Sequence, residues 1–317
     1  MKSKKEESDS DSYHQLQNIL RRYKMLKGIY TPIVTPFAED ESIDYGKLKH
    51  NLDLLAKTNL DGIVVLGSNG EFVYLTHAEK IELIKFCIEN FTKEKRIIVG
   101  TSYDSTLETI SFCKEAAELG ADAALILPPH YYKGSMNEEV LYNHFIDVAD
   151  ESPIPVMLYN MPGNTGINMS SKLIARLAKH PNIVGIKDTS GNIVQLSEIV
   201  RDTDDDFVVF AGNAGYLLPA LTVGARGATV ALGNILPNEC CQLVKLVKEG
   251  KIEEARELQL KLIEINFIVT GGMGVPALKA GMDMLGYQGG IPRRPLRPLE
   301  EDKKQVVKAA LAKLGVL

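Results

Sequence analysis

Eight short runs of β-branched and apolar residues recur through the middle of this chain, each followed by a longer stretch with helical periodicity. The runs cover 29–34, 62–66, 96–99, 123–127, 156–159, 184–187, 208–211 and 228–232. They are almost continuously apolar rather than alternating, as strands buried on both faces are. Three of the intervening stretches open with a capping-box pattern: Thr76-x-x-Glu79, Ser105-x-x-Glu108 and Ser135-x-x-Glu138. Strand and helix in strict alternation, eight times over, predict a closed (β/α)8 TIM barrel, with a doubly wound open sheet as the alternative.

After Gly233 the strand signal stops. Pro237 stands where a helix loses nothing by lacking an N–H. Helical stretches follow over 238–248, 252–270, 275–285 and 299–314, broken at Gly271-Gly272-Met273-Gly274 and at 286–298. The expected organisation is an N-terminal extension (1–27), a catalytic barrel (28–235), and barrel-closing helices with a C-terminal helical appendage (236–317). Within the extension, residues 1–13 are polar and charged and are expected to be disordered. Leu16, Ile19, Leu20, Tyr23 and Leu26 then fall at the spacing of a short amphipathic helix.

Composition narrows the function classes. The 317 residues are 45% apolar and 24% charged, enough for a large core. A net charge of −5 argues against a nucleic-acid or anionic-membrane partner. No apolar run approaches the roughly 18–20 residues of a membrane span. Cys87, Cys113, Cys240 and Cys241 form no C-x-x-C pair and suit a reducing compartment. The 1–13 stretch has no apolar leader, and its Glu6, Glu7, Asp9 and Asp11 do not fit a mitochondrial transit peptide, so a cytoplasmic location is expected. The six histidines show no metal-ligand spacing, and no protein-bound metal is expected.

In a barrel of this kind the chemistry sits where strands end and βα loops begin. The sixth run ends in Gly185-Ile186-Lys187-Asp188-Thr189. A lysine at the end of a buried strand loses hydration, which favours the neutral amine, the form a Schiff-base nucleophile needs. The bland reading is a lysine that snorkels to solvent. Tyr159 ends the preceding strand, so its phenol and the Lys187 amine are expected to share one substrate. Tyr132 follows the fourth strand. Tyrosines so placed can move protons, although any single one can equally be a core ring with a satisfied hydroxyl. The Gly67-Ser68-Asn69-Gly70 loop after the second strand suits a carboxylate or phosphate, through backbone N–H groups and the Ser68 hydroxyl. Its bland reading is a β-turn in which Asn69-Gly70 takes positive φ.

Taken together, these elements resemble the dihydrodipicolinate synthase and N-acetylneuraminate lyase family over about Gly28 to Pro298. Gly67-Ser68-Asn69-Gly70-Glu71 is similar to its G-[ST]-x-G-E loop. Tyr159-Asn160-x-Pro162 and Gly185-Ile186-Lys187-Asp188 are similar to its Y-N-x-P and G-[ILV]-K-[DE] elements. The resemblance implies a homotetramer built as a dimer of dimers, and a pyruvate imine on Lys187 with no other cofactor. It implies that Ser68 and the Asn69 backbone hold the pyruvate carboxylate. Tyr159 would be the general acid–base, with Tyr132 lent across the dimer interface to complete a proton relay with Ser68. Gly212 and Thr229 would line the pocket.

One position departs from the pattern. Family members that condense pyruvate with aspartate semialdehyde carry an arginine where this chain has Asn164, and an amide cannot make the charge-assisted bidentate contact. The Pro162-x-Asn164-Thr165-Gly166 stretch, with the 67–72 loop, resembles 4-hydroxy-2-oxoglutarate aldolase more closely. Aldolases of 2-keto-3-deoxy sugar acids remain open, as does the synthase if another residue supplies the positive charge. The other classes weighed are a catalytically silent ligand-binding barrel and a phosphate-ester enzyme. The latter lacks a cation beside Gly212–Gly215 or Gly233-Asn234. No G-x-G-x-x-G follows the first strand, which speaks against a dinucleotide site.

Overall fold

The structure, a computed structural model, describes residues 26–317. The amphipathic helix expected near Leu16 lies outside the described residues. Eight parallel strands follow: β1 (Gly28–Pro32), β2 (Gly62–Val65), β3 (Arg96–Gly100), β4 (Ala123–Ile126), β5 (Val156–Asn160), β6 (Ile183–Asp188), β7 (Val208–Ala211) and β8 (Gly227–Thr229). They close in sequence order, β8 pairing with β1 through Gly28↔Gly227 and Tyr30↔Thr229. Closure removes the open-sheet alternative and leaves no strand edge unpaired.

Side chains alternate across the barrel wall, as the two-residue strand period requires. Tyr30, Val64, Ile98, Leu125, Met157 and Phe210 fill the interior. Ile29, Ile63, Ile97, Ala124, Leu158, Ile186 and Val209 point outward into the layer beneath the helices. This double burial is why the strands read as unbroken apolar runs. The outer ring is α1 (Tyr45–Ala56), α2 (His77–Asn90), α3 (Thr106–Leu119), α4 (Glu138–Glu151), α5 (Ser171–Leu177), α6 (Ile193–Asp202), α7 (Leu217–Thr222) and α8 (Pro237–Lys248). Cys87, Cys113 and Cys240 are buried in this layer, and all four cysteines are free.

Local sequence explains where the helices begin, with one correction. Thr76 and Glu79 form the complete capping box on α2, and Ser105 accepts from Glu108 N on α3. Ser135 does not cap α4. It belongs to a 3-10 turn, Lys133–Ser135, and Asn137 caps the helix by accepting from Glu139 N and Val140 N. Asparagine is at least as good an N-cap as serine, and here it directly precedes the first helical residue, Glu138. The last strand is also shorter than its apolar run. Asn234 donates to Pro32 O (2.9 Å) and Ala231 O (3.0 Å), drawing Ala231–Asn234 into a 3-10 turn against β1.

Three further helices lie beyond the ring: α9 (Ile252–Phe267), α10 (Gly274–Met284) and α11 (Glu301–Lys313). The helical stretch expected to run to 270 loses regular pitch at Phe267 and widens into a π-turn, Ile268–Gly272, before the glycine break. No described helix is long and apolar enough to cross a membrane.

Candidate active site

Strand register brings the site together. β6 pairs Lys187 with Tyr159 on β5 and with Phe210 on β7. Two residues earlier stands Gly185, where a side chain would collide with Val208 O at 2.4 Å. Lys187 is 3% exposed and Tyr159 4%. Lys187 Nζ lies 3.9 Å from the centroid of the Tyr159 ring, within the range of a cation–π contact. Tyr159 Oη lies 3.4 Å from Ser68 Oγ, which the β2 loop delivers, and 3.4 Å from Met161 Sδ. Three residues singled out from the sequence, on three different strands or loops, therefore meet at one point.

Opposed influences act on the Tyr159 phenol. Burial pushes its pKa up. The Lys187 charge pulls it down, as do the hydrogen bond with Ser68 Oγ and the nearby polar groups of Lys187 and Thr189, and the net displacement is downward. A phenol so placed gives up its proton more readily than one in water. Thr189 Oγ1 is buried, and by distance and angle it makes no directed hydrogen bond, so its influence on Tyr159 is a weak dipolar one.

The carboxylate next to the lysine has a separate task. Asp188 is fully buried and accepts from Asn160 Nδ2 (2.8 Å), Ser190 N (3.0 Å) and Ser190 Oγ (2.6 Å). Asn160 Nδ2 also reaches Asn168 Oδ1 (2.8 Å), and Asn168 Nδ2 donates to Gln195 Oε1 (2.8 Å). Tyr216 Oη donates to Asp188 O (2.6 Å), which also accepts from Gly212 N (2.7 Å). The network ties the ends of β5, β6 and β7 together and fixes the spacing between Lys187 and Tyr159. Asn160 and Asp188 lie inside the Y-N and K-D elements read from the sequence, yet nothing in the pattern revealed that they bond each other.

Left-handed residues shape the β2 loop, though not at Asn69-Gly70. Leu66 (φ 59) and Glu71 (φ 56) take that conformation and flank a single 3-10 turn, Ser68–Gly70. The turn closes through Gly70 N to Gly67 O (2.9 Å) and Glu71 N to Ser68 O (3.1 Å). Glutamate in this region is strained and needs outside support. Lys279 on α10 supplies it, with Nζ 2.6 Å from Glu71 Oε1 and both side chains at most 2% exposed. The contact is poorly directed for a hydrogen bond and acts as charge on charge. Glu71 Oε2 accepts from Arg293 N (2.8 Å), and Lys279 also donates to Thr35 O (2.8 Å) and Ile291 O (2.7 Å). Burial lowers the Lys279 pKa to about 8, against the opposing pull of Glu71. The Arg293 guanidinium grips both oxygens of Glu79 at 2.6 and 2.9 Å, which holds that carboxyl at about 2. Sequence reasoning missed Lys279 and Arg293 altogether, because they lie outside the strand ends and far along the chain.

The remaining residues picked from the sequence are placed as follows. Asn69 and Gly212 are half-buried, and Thr229 is buried at the end of β8 with its hydroxyl unpartnered among the described residues. A side chain at Gly212 would overlap Thr189 Oγ1, so only glycine fits there. Asn164 is exposed in a one-turn helix, Pro162–Thr165. Tyr132 is 73% exposed and packs edge-to-face with Tyr131 at 5.1 Å. Among the described residues no hydrogen bond joins Tyr132 or Asn164 to the Lys187–Tyr159–Ser68 group. Nor do any His, Cys, Asp and Glu side chains among them gather to hold a metal ion.

A closed (β/α)8 barrel with Lys187, Tyr159 and Ser68 gathered at its strand ends has the architecture of a barrel enzyme, and the sequence relationships place it among the carbon–carbon lyases. The chain belongs to the dihydrodipicolinate synthetase family, whose sequence profile matches residues 25–314. It is 38% identical to the 4-hydroxy-tetrahydrodipicolinate synthase of Archaeoglobus fulgidus, over 92% of this chain and the whole of that one. It is 36% identical to the probable mitochondrial 4-hydroxy-2-oxoglutarate aldolase of Emericella nidulans, over 91% and 94% of the two chains. Among solved structures, the lysine-bound synthase of Cyanidioschyzon merolae superposes with a TM-score of 0.88 at 31% identity, covering 92% of this chain and 99% of that one. A structure described as the first monomeric synthase variant also reaches 0.88, at 27% identity and with 93% and 99% coverage.

Proposed function

We propose that the protein is a class I aldolase that reversibly cleaves a 4-hydroxy-2-oxo acid to pyruvate and an aldehyde, with 4-hydroxy-2-oxoglutarate as the leading substrate. The observation that carries this reading is the buried Lys187 amine beneath the Tyr159 ring, beside Ser68. Lys187 Nζ adds to the C2 carbonyl, water leaves, and an imine forms. Tyr159 takes the proton of the C4 hydroxyl as the C3–C4 bond breaks. The bonding pair moves into the imine, giving the enamine, and the aldehyde departs. Protonation at C3 and hydrolysis then release pyruvate and free the lysine. The imine is itself the electron sink, so the reaction needs no further cofactor and no metal. Ser68 and the Asn69 backbone hold the pyruvate carboxylate, and Gly212 and Thr229 line the pocket.

The same reading assigns residues 28–235 to the catalytic barrel and 236–317 to helices that close and brace it. It makes the protein a homotetramer, a dimer of dimers in which Tyr132 enters the neighbouring subunit's site. The exposed Tyr131–Tyr132 pair supports this, since two adjacent aromatic rings form an apolar patch suited to a protein contact. Four free cysteines suit the cytoplasm. The second reading is synthesis of 4-hydroxy-tetrahydrodipicolinate from pyruvate and aspartate semialdehyde, the activity named for the Archaeoglobus relative. Asn164 weakens it by putting an amide where that chemistry uses a cation.

Borohydride reduction in the presence of pyruvate tests the mechanism. The expected result is one pyruvate-derived adduct, found by peptide mass spectrometry on Lys187 and lost in Lys187→Ala. Folded protein without an adduct would rule out the aldolase and leave a ligand-binding barrel.

A further inference from the structure

An aldehyde that bears a carboxylate brings a second negative charge to the mouth of the barrel, and Asn164 cannot answer it with a charge. The loops that rim this mouth cover 33–44, 66–76, 101–105, 127–137, 161–170, 189–192, 212–216 and 230–236. Among these described residues Lys133 is the only lysine or arginine. It starts in the loop after β4 and lays its side chain over the loop after β5. A methyl group built on Gly166 would sit 3.5 Å from Lys133 Cδ and 3.6 Å from Nζ. Gly166 has φ +69, a conformation that favours glycine, and the Lys133 side chain lies in van der Waals contact with the turn it closes. Asp104 steadies the base of the Lys133 loop by accepting from His130 N and Tyr131 N, and Ser135 N donates to Tyr132 O (2.8 Å). No hydrogen bond or ion pair engages the Lys133 ammonium among the described residues.

We infer that Lys133 is the specificity-determining residue of this site: its ammonium, held over the Asn164–Gly166 turn, receives the carboxylate of the aldehyde partner. It does from the β4 loop what an arginine at position 164 would do from the β5 loop. The site then selects carboxylate-bearing aldehydes, such as glyoxylate or aspartate semialdehyde, over neutral hydroxyaldehydes. Lys133 sits in an exposed position, so its pull weakens as salt rises. This inference rests on imine formation at Lys187, and its test separates the two.

Initial rates would be measured for Lys133→Ala, Lys133→Arg and the unaltered protein. The assays are cleavage of 4-hydroxy-2-oxoglutarate, condensation with aspartate semialdehyde, and cleavage of 2-keto-3-deoxygluconate, with pyruvate trapping by borohydride alongside. For whichever carboxylate-bearing substrate the unaltered protein turns over, Lys133→Ala is expected to lower kcat/KM about 10- to 100-fold, the range for a lost charged hydrogen bond. The loss should fall mainly on KM and shrink with added salt. Lys133→Arg should restore most of it, and pyruvate trapping should stay unchanged in both variants. An unchanged kcat/KM in Lys133→Ala, or a preference of the unaltered protein for the neutral substrate, would overturn the assignment while the adduct persists. Absence of the adduct in the unaltered protein would overturn the imine reading itself.

Discussion

Tyr159 is held where a proton carrier is useful: buried, yet with its pKa lowered by a neighbouring charge. Removing its hydroxyl should slow turnover without preventing imine formation. Tyr159→Phe is expected to lower kcat by roughly 10²- to 10⁴-fold, the usual share of general acid–base catalysis, while borohydride still captures the pyruvate adduct. Steady-state rates beside the trapping yield would check this, and an unchanged kcat would remove Tyr159 from the mechanism. The rising limb of the pH–rate profile should lie below pH 10 in the unaltered protein and vanish in the variant, because the base form of the phenol is lost. Lys187, Tyr159 and Ser68 were legible in the sequence because strand ends can be counted off an apolar pattern. The left-handed backbone of Glu71 was not, since nothing local marks a glutamate for that conformation. Ser135 misled for a related reason: two good capping residues stand close together, and Ser135 is taken up in the 3-10 turn that precedes the helix.

At the scale of elements, the β2 loop depends on a helix from the far end of the chain. The Glu71–Lys279 pair is fully enclosed, and enclosing two charges brings little stability of its own. Taking away one partner is a different matter, because the other is left charged and dry. Lys279→Met is expected to destabilise the protein by about 3–5 kcal/mol, read as a fall in the urea midpoint. Adding Glu71→Gln should recover part of it, and KM for pyruvate should rise in the single variant as the Ser68–Gly70 turn loosens. If Lys279→Met melts like the unaltered protein, the pair does not support the loop. The helix that carries Lys279 was visible as periodicity, with bounds close to those observed. Its partner was not visible, because a pairing over such a separation leaves no pattern along the chain.

For the whole molecule, the barrel followed from repetition: eight buried strands with eight helical returns have few ways to close. What holds the C-terminal segment onto that barrel has a pH signature. Glu79 sits at about 2 in the folded protein against an ordinary 4.5, chiefly through its hydrogen bonds with Arg293 and against some burial. As pH falls, the unfolded chain takes up this proton first. The contribution is therefore complete above about 4.5 and is lost on the descent to about 2. Melting temperature should drop across that interval, and Glu79→Gln should flatten this part of the curve. A variant curve parallel to that of the unaltered protein would mean that the Glu79–Arg293 contact does not set acid stability.

Arg293 reaches back 222 positions to the carboxylate of Glu71. On the ribosome this sets an order of events. All eight strands have been synthesised once Thr229 is made, but the loop that carries Ser68 still waits for Lys279 and Arg293 to emerge. A nascent chain can thus roll up its barrel well before the Ser68 loop gains the two partners that brace it, so the shape of that loop is settled late while the wall beneath it is settled early.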